Sequence, residues 1–247
     1  MRGILYFSAT GNSLYVAQRL RDILGGDIRY IPSYDGNGEE FDETIIVSPV
    51  YSFGLPVHVY DLIPRLTKQR PVWIVLNYGG MCGGADGSAY RHCKEHGVDI
   101  QGVYSVKMPE NYTLVFSVPK FYERSILKAA PKAIDMIASK IEAGIKYAPK
   151  ARKSSETTYS KNRPTWHLIV NDFSVSGDCV RCGKCVALCP TNNISIQEGE
   201  VVFSDRCVIC LGCYHRCPQK AIRYKNKVKS DRYLNPSIRE SDIGKDL

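Results

Sequence analysis

Eight of the ten cysteines in this chain of 247 residues lie between Cys179 and Cys217, in two runs of one spacing. The first run is Cys179, Cys182, Cys185 and Cys189, followed by Pro190. The second is Cys207, Cys210, Cys213 and Cys217, followed by Pro218. Every cysteine and the proline keep the offset of 28 positions that separates Cys179 from Cys207. Apolar neighbours keep it too, Val175 with Phe203 and Ile194 with Ile222. The stretch is an internal duplication, each unit a cysteine loop between short apolar strands. Three thiolates spaced i, i+3, i+6 can wrap one corner of an iron–sulfur cubane, and the remote Cys-Pro is left to complete a second. A zinc site on Cys179, Cys182, Cys207 and Cys210 would leave four regularly placed cysteines idle. A disulfide framework needs an oxidising compartment, and nothing in the sequence directs the chain to one.

The doubled run resembles that of the bacterial two-cluster ferredoxins, in which the fourth cysteine of each run ligates the other cluster. That resemblance implies two [4Fe–4S] clusters, one on Cys179, Cys182, Cys185 and Cys217, the other on Cys207, Cys210, Cys213 and Cys189. Crossed ligation ties the halves together, so a segment of about 50 residues can fold around metal where its apolar core is marginal. His215, with Arg206, Arg216 and Lys220, is expected to surround the second cluster with positive charge and raise its potential above the first.

A second candidate site opens the chain. Arg2–Phe7 reads as a buried strand running into Ser8-Ala9-Thr10-Gly11-Asn12-Ser13. A helix follows with Leu14, Ala17, Leu20, Ile23 and Leu24 on one face, closed by Gly25-Gly26. Unpaired N–H groups at a helix start favour an anion, and Ser8, Thr10 and Ser13 add hydroxyl donors. A helix merely capped by Asn12 is the plainer alternative. No lysine follows the glycine and no Gly-x-Gly-x-x-Gly is present, so neither a nucleotide-hydrolysing loop nor a dinucleotide site is expected here. Residues 7–13 resemble the phosphate-binding loop of flavodoxins, with serine as the final hydroxyl. The resemblance implies FMN, its phosphate held by Ser8, Thr10, Gly11, Asn12 and Ser13.

Further strands are expected at Ile28–Ile31, Thr44–Val47, Val72–Leu76 and Gly102–Val106, with helical segments at Val57–Ile63 and Ser88–His96. This alternation implies a doubly wound parallel sheet with ligands at the carboxyl ends of its strands. Three loops rich in aromatic residues and glycine fall at those ends. They are Pro49-Val50-Tyr51-Ser52-Phe53-Gly54-Leu55-Pro56, Asn77-Tyr78-Gly79-Gly80-Met81-Cys82-Gly83-Gly84, and Met108-Pro109-Glu110-Asn111-Tyr112. Aromatic faces can stack on a flavin ring and glycine backbone can donate to its edges. The plainer alternative is that the aromatic turns cap the sheet. The loops resemble the two flavin-ring loops of flavodoxins and the Met-Pro-x-Asn-Tyr loop of flavodoxin–ferredoxin fusion proteins, which implies ring contacts from Pro49 to Gly54, at Asn77, Tyr78, Gly79, Gly80, Cys82 and Gly83, and at Asn111 and Tyr112.

The chain as a whole resembles those fusion proteins. The expected fold is an α/β flavodoxin-like, doubly wound, parallel five-stranded sheet of order 2-1-3-4-5, plus a small α+β two-cluster ferredoxin-like domain. The expected division is a flavodoxin-like domain over 1–145, a basic linker over 146–172, a ferredoxin domain over 173–226 and a charged, frayed tail over 227–247. Pro131 is expected at a helix start within 122–144. Cys82 is expected to be a small residue that fits, Cys93 a packing thiol, and the His92/His96 pair exposed.

The net charge is +8, and between Lys120 and Arg163 eleven Lys or Arg face four Asp or Glu. That basic stretch is either a solvated surface or a docking face for an acidic redox carrier such as ferredoxin. No nucleic-acid motif, membrane-spanning run, nicotinamide site or export signal is evident, so a reducing cytosol is expected. These parts imply an electron-transfer flavoprotein converting between one- and two-electron steps for redox partner proteins. An alternative is a flavin-dependent reductase of a quinone, nitro compound or enone fed by the clusters, and a third is a redox sensor.

Overall fold

In a computed structural model the protein is described over residues 1–115, 117–225 and 232–247. Five strands form one parallel sheet: β1 (Arg2–Tyr6), β2 (Asp27–Tyr30), β3 (Glu43–Pro49), β4 (Val72–Tyr78) and β5 (Ile100–Lys107), in the order β2-β1-β3-β4-β5. That is the flavodoxin-like order, whose switch point lies between β1 and β3. Strands buried on both faces read as continuous apolar runs, as Ile4-Leu5-Tyr6-Phe7 and Trp73-Ile74-Val75-Leu76 do here. Helices cover both faces. α1 (Asn12–Leu24) and α4 (Lys120–Glu142) bury Leu14, Ala17, Leu20, Ile134 and Ile137 on one side, while α2 (Val57–Leu62) and α3 (Ala85–Glu95) bury Val59, Leu62 and Ala89 on the other.

The cysteine segment has small sheets of its own. Short strands β6 (Phe173–Val175) and β9 (Ile222–Tyr224) pair antiparallel, as do β7 (Ile194–Gln197) and β8 (Glu200–Phe203). Val175 faces Ile222 and Ile194 faces Phe203. Each unit thus pairs its entry strand with the exit strand of the other, which brings each Cys-Pro beside the opposite run.

Three expectations are corrected. Pro131 lies inside α4, where the lost N–H bond is offset by the buried row Ile126, Ala130, Ile134, Ile137, Ala138 and Ile141. The linker is not loose: α5 (Lys153–Asn162) and a ten-residue 3-10 segment, Arg163–Asp172, pack on the sheet domain. The Tyr159 hydroxyl donates to the Leu55 carbonyl at 2.7 Å, and Ser155 bonds the Gly83 carbonyl. Trp166 is buried against Tyr51 and Tyr159. The tail does not fray over its described residues. Tyr233, Asn235 and Ile243 are buried, and Leu247 exchanges two backbone hydrogen bonds with Ile28 of β2. Residues 226–231, the end of the expected ferredoxin domain and the start of the tail, lie outside the described residues.

Candidate functional site

Two features converge at the carboxyl end of the sheet. The first is a cleft of about 710 Å³ over the β1/β3 switch point. Its floor comes from the loop after β1, including Ser8, Thr10, Asn12 and Ser13. Gly11 sits at the N-cap of α1 with φ 94, and no side chain caps the helix. Asn12 is therefore not the cap of the plainer alternative. With the first intrahelical bond running from Tyr15 N to Gly11 O, the N–H groups of Asn12, Ser13 and Leu14 have no helical acceptor.

The hydroxyls of this loop are oriented by what they accept. Ser8 Oγ accepts from Gly11 N at 3.0 Å, Thr10 Oγ1 from Asn111 Nδ2 at 3.0 Å, and Ser13 Oγ from Asn77 Nδ2 at 2.8 Å. Each lone pair taken this way leaves the O–H as a donor beside the helix start. All three residues are buried and line the cleft. That donor set suits an anion held without a cationic side chain.

The walls hold the three aromatic loops. Pro49, Val50, Tyr51, Ser52 and Phe53 line the cleft, with Asn77, Tyr78, Gly79, Gly80, Asn111 and Tyr112. Glu110 binds two of the loops together, accepting from Gly80 N at 3.2 Å and Tyr112 N at 2.8 Å. Gly54, Cys82 and Gly83 do not line it. A Cβ on Gly54 would strike the Tyr159 ring, and one on Gly83 the Phe53 ring, so these glycines admit packing partners instead. Burial raises the Cys82 thiol above its ordinary pKa and pushes Cys93 up to about 12, so both stay thiols. His92 is not exposed. It is buried, stacks on Tyr60 at 3.8 Å and bonds the Tyr60 carbonyl at 3.0 Å.

The fourth wall comes from a stretch that the sequence offers as a linker or docking arm, whose Trp166–Val170 run could pack between domains. Trp166, Leu168, Ile169 and Asp172 of the expected linker line the cleft, as do Ile209 and Tyr224 of the cysteine segment. The only sequence signal was the apolar run Trp166-His167-Leu168-Ile169-Val170 in a polar stretch. Tyr51 and Trp166 are only 8% and 6% exposed, yet Tyr51 Oη and Trp166 Nε1 have no hydrogen-bond partner among the described residues. Buried donors of this kind are rare and call for an acceptor. Burial holds Tyr51 protonated, well above its ordinary pKa. An anion cradle at one end and orphan donors with aromatic walls at the other fit a phosphorylated, planar, carbonyl-bearing group such as FMN.

The second feature is a pair of cavities in the cysteine segment. One is lined by Cys179, Cys182, Cys185 and Cys217, the other by Cys189, Cys207, Cys210 and Cys213. These are the two crossed quartets. Among the described residues no three His, Cys, Asp or Glu side chains gather tightly enough for a single metal ion; the quartets stand around voids.

The duplication extends to the backbone. Arg181 and Ile209 have φ 55 and 50, Gly183 and Leu211 have 72 and 60, and Asn192 and Lys220 have 49 and 51. The left-handed conformation costs a non-glycine residue about 1–2 kcal/mol, and such strain clusters at functional sites. Backbone N–H groups donate to sulfur at equivalent places, Asn193 N to Cys189 at 3.2 Å and Ala221 N to Cys217 at 3.3 Å. Burial pushes the Cys210 thiol up to about 12, so a thiolate there needs compensating positive charge, which iron would bring.

The two quartets differ in setting. Cys182 is exposed, beside the exposed Val180. Cys210 faces the sheet domain: Ile209 and Cys210 pack on the core that contains Phe7, Tyr51 and Trp166, and Gly212 lies against Ala9. The positive shell expected around the second quartet is reduced. His215 is buried, which lowers its pKa to about 4, and its Nε2 bonds the Asn111 carbonyl at 2.8 Å. Arg216 in α7 (Gly212–Arg216) is paired with Glu240 at 3.1 Å, and Lys184 in α6 (Lys184–Ala187) bonds the same carboxylate at 2.6 Å.

Comparison with known proteins bears on each half separately. Residues 178–221 match the family model of the 4Fe-4S dicluster domain. This segment is a 4Fe-4S dicluster domain. It is 39% identical over 49 residues to the polyferredoxin MvhB of Methanothermus fervidus, covering 20% of this chain and 12% of that one. The methylamine utilization ferredoxin-type protein MauM of Paracoccus denitrificans is 32% identical over 113 residues, covering 41% of this chain and 46% of that protein. The chain therefore spans less than half the length of these relatives. Among solved structures, the flavodoxin of Megasphaera elsdenii aligns with 20% identity and TM-score 0.40, covering 57% of this chain and 99% of that one. The flavodoxin of Fusobacterium nucleatum bound to flavin mononucleotide aligns with 14% identity and TM-score 0.41, covering 57% and 96%. The strand order, not these likenesses, carries the fold assignment. No helix among the described residues is long and apolar enough to cross a membrane.

Proposed function

We propose that the chain is an electron-transfer flavoprotein in which the dicluster domain relays electrons to an FMN held over the sheet. The observation that carries this reading is the placement of the second quartet: its loop supplies Ile209 to the wall of the flavin cleft. In this reading Cys179, Cys182, Cys185 and Cys217 hold an outer cluster that meets redox partner proteins. Cys207, Cys210, Cys213 and Cys189 hold an inner one.

Bound there, FMN would supply the exchange between one-electron and two-electron chemistry. The chain's own residues do the rest. The open N–H groups of α1 and the hydroxyls of Ser8, Thr10 and Ser13 grip the phosphate. Tyr51 and Trp166 donate to the ring carbonyls, and the docked segment 153–172 shields the ring from water. The coarse partner class is a one-electron redox protein, and the basic stretch 120–163 favours an acidic one.

The test is anaerobic stopped-flow reduction by a low-potential ferredoxin, followed at flavin absorbance, in wild type and Cys182→Ser. The relay predicts much slower flavin reduction by the carrier in the variant, while photochemical reduction of the flavin persists. Equal rates with the carrier would mean that it reaches the flavin directly, and the relay would be wrong. A second reading, reduction of a small quinone or nitro compound, is favoured by the size of the cleft. Rapid oxidation of the reduced protein by such an acceptor, saturating with its concentration, would select it.

A further inference from the structure

We infer that the C-terminal strap, residues 232–247, fixes the phosphate loop in its binding form, which makes Tyr233 and Asn235 positioning residues for FMN. The inference rests on the FMN reading above and concerns how that site is built.

Asn12 begins α1 directly after Gly11, and its buried side chain makes three hydrogen bonds. Its Nδ2 donates to the Pro109 carbonyl at 2.9 Å. Its Oδ1 accepts from Tyr233 Oη at 2.6 Å and from Asn235 Nδ2 at 3.0 Å. An amide oxygen has two lone pairs, so nothing remains on Oδ1 for a ligand. Asn12 is a clamp whose oxygen belongs to the strap, and only its N–H groups, the backbone one and the second hydrogen of Nδ2, can serve the phosphate.

The strap holds the residues before Asn12 as well. Asn235 N donates to the Thr10 carbonyl at 2.8 Å. Asn235 Cβ stands 3.1 Å from where a Cβ on Gly11 would be, so strap and loop pack without a gap. The same strap reaches the dicluster domain: Tyr233 N donates to His215 Nδ1 at 3.1 Å, and His215 Nε2 bonds the Asn111 carbonyl. Asn111 in turn donates to Thr10 Oγ1. One buried network thus joins the helix of the second cysteine run to both sides of the phosphate loop. Anion binding by backbone N–H groups depends on those groups being fixed before the ligand arrives. Loosening the strap therefore lowers affinity through the phosphate and leaves the ring contacts as they are.

That difference is measurable, because riboflavin has the ring and lacks the phosphate. Full-length protein carrying its clusters, stripped of flavin, is titrated with FMN and with riboflavin by flavin fluorescence. Wild type, Tyr233→Phe, Asn235→Ala and the double variant are compared, with iron and sulfide content as the check on folding. The double variant is expected to bind FMN roughly tenfold more weakly, about 1.4 kcal/mol, and riboflavin within about twofold of wild type, at unchanged iron content. The single variants are expected to fall between. Unchanged FMN affinity, or equal loss for both ligands, overturns the positioning role. Wild-type protein that binds neither ligand overturns the FMN reading itself and this inference with it.

Discussion

The docking of residues 147–172 on the sheet domain can be tested with one methyl group. Gly87 lies in α3, where helix propensity alone makes Gly→Ala stabilising by about 1 kcal/mol. The structure reverses the sign. A Cβ on Gly87 would stand 2.2 Å from Ala151 N, 2.2 Å from the Lys150 carbonyl carbon and 2.4 Å from its oxygen. These are backbone atoms, so no side-chain rotation relieves the clash. Return to the closest ordinary contact, 3.4 Å, requires the linker to move by 3.4 − 2.2, roughly 1.2 Å. Overpacking of this kind costs about 1–3 kcal/mol. With the upper figure set against the helix gain, Gly87→Ala is destabilised by about 2 kcal/mol. For a chain of this size that lowers Tm by about 4–8 °C. The displaced linker also carries Trp166 off the cleft, so FMN content should fall with Tm. Differential scanning calorimetry and released flavin per chain are the assays. A Tm that rises by about 2–4 °C, as the helix gain alone predicts, with flavin retained, would refute the docked linker.

Three further outcomes follow from side-chain partners. Trp166→Phe removes a donor that has no partner in the described protein, so flavin-free stability should change by less than about 1.5 kcal/mol while FMN affinity falls by about 1 kcal/mol; a urea melt and a flavin titration separate the two. Asn77→Ala deletes the donor shared by Ser13 Oγ and the Ser48 carbonyl at 3.1 Å, and should cost about 1–3 kcal/mol of stability as well as FMN affinity; loss of one without the other would show that Asn77 does not couple β4 to the loop. Glu240→Ala leaves the buried Arg216 guanidinium without its carboxylate, which should cost about 3–5 kcal/mol in urea unfolding, with Glu240→Gln recovering only part.

What the sequence made legible is what repeats or alternates. The cysteine spacing named both quartets because ligation geometry fixes spacing, and the offset between the runs reappears in the paired strands and the left-handed residues. The five strands and the loop after β1 were legible because buried parallel strands and a hydroxyl-rich turn leave local signatures. The remainder depends on contacts distant in sequence. Asn12 finds its partners at Tyr233 and Asn235, and Gly87 and Gly54 are small because residues 151 and 159 lie on them. Lys, Ser and Thr in 146–172 read as a linker because the face that docks is narrow. Charge counting around the second quartet could not show pairing: Glu240, distant in sequence, sits across from Arg216.

The central claim is that one chain carries two cubanes and a flavin in electronic contact. The direct measurement is iron, sulfide and released flavin per chain under strict anaerobiosis, with absorbance followed through a reductive titration. The expected result is about eight irons, as two cubanes require, one FMN, and bleaching of clusters and flavin in the same preparation. Zinc in place of iron, or iron with no flavin bound even when FMN is supplied, would contradict it.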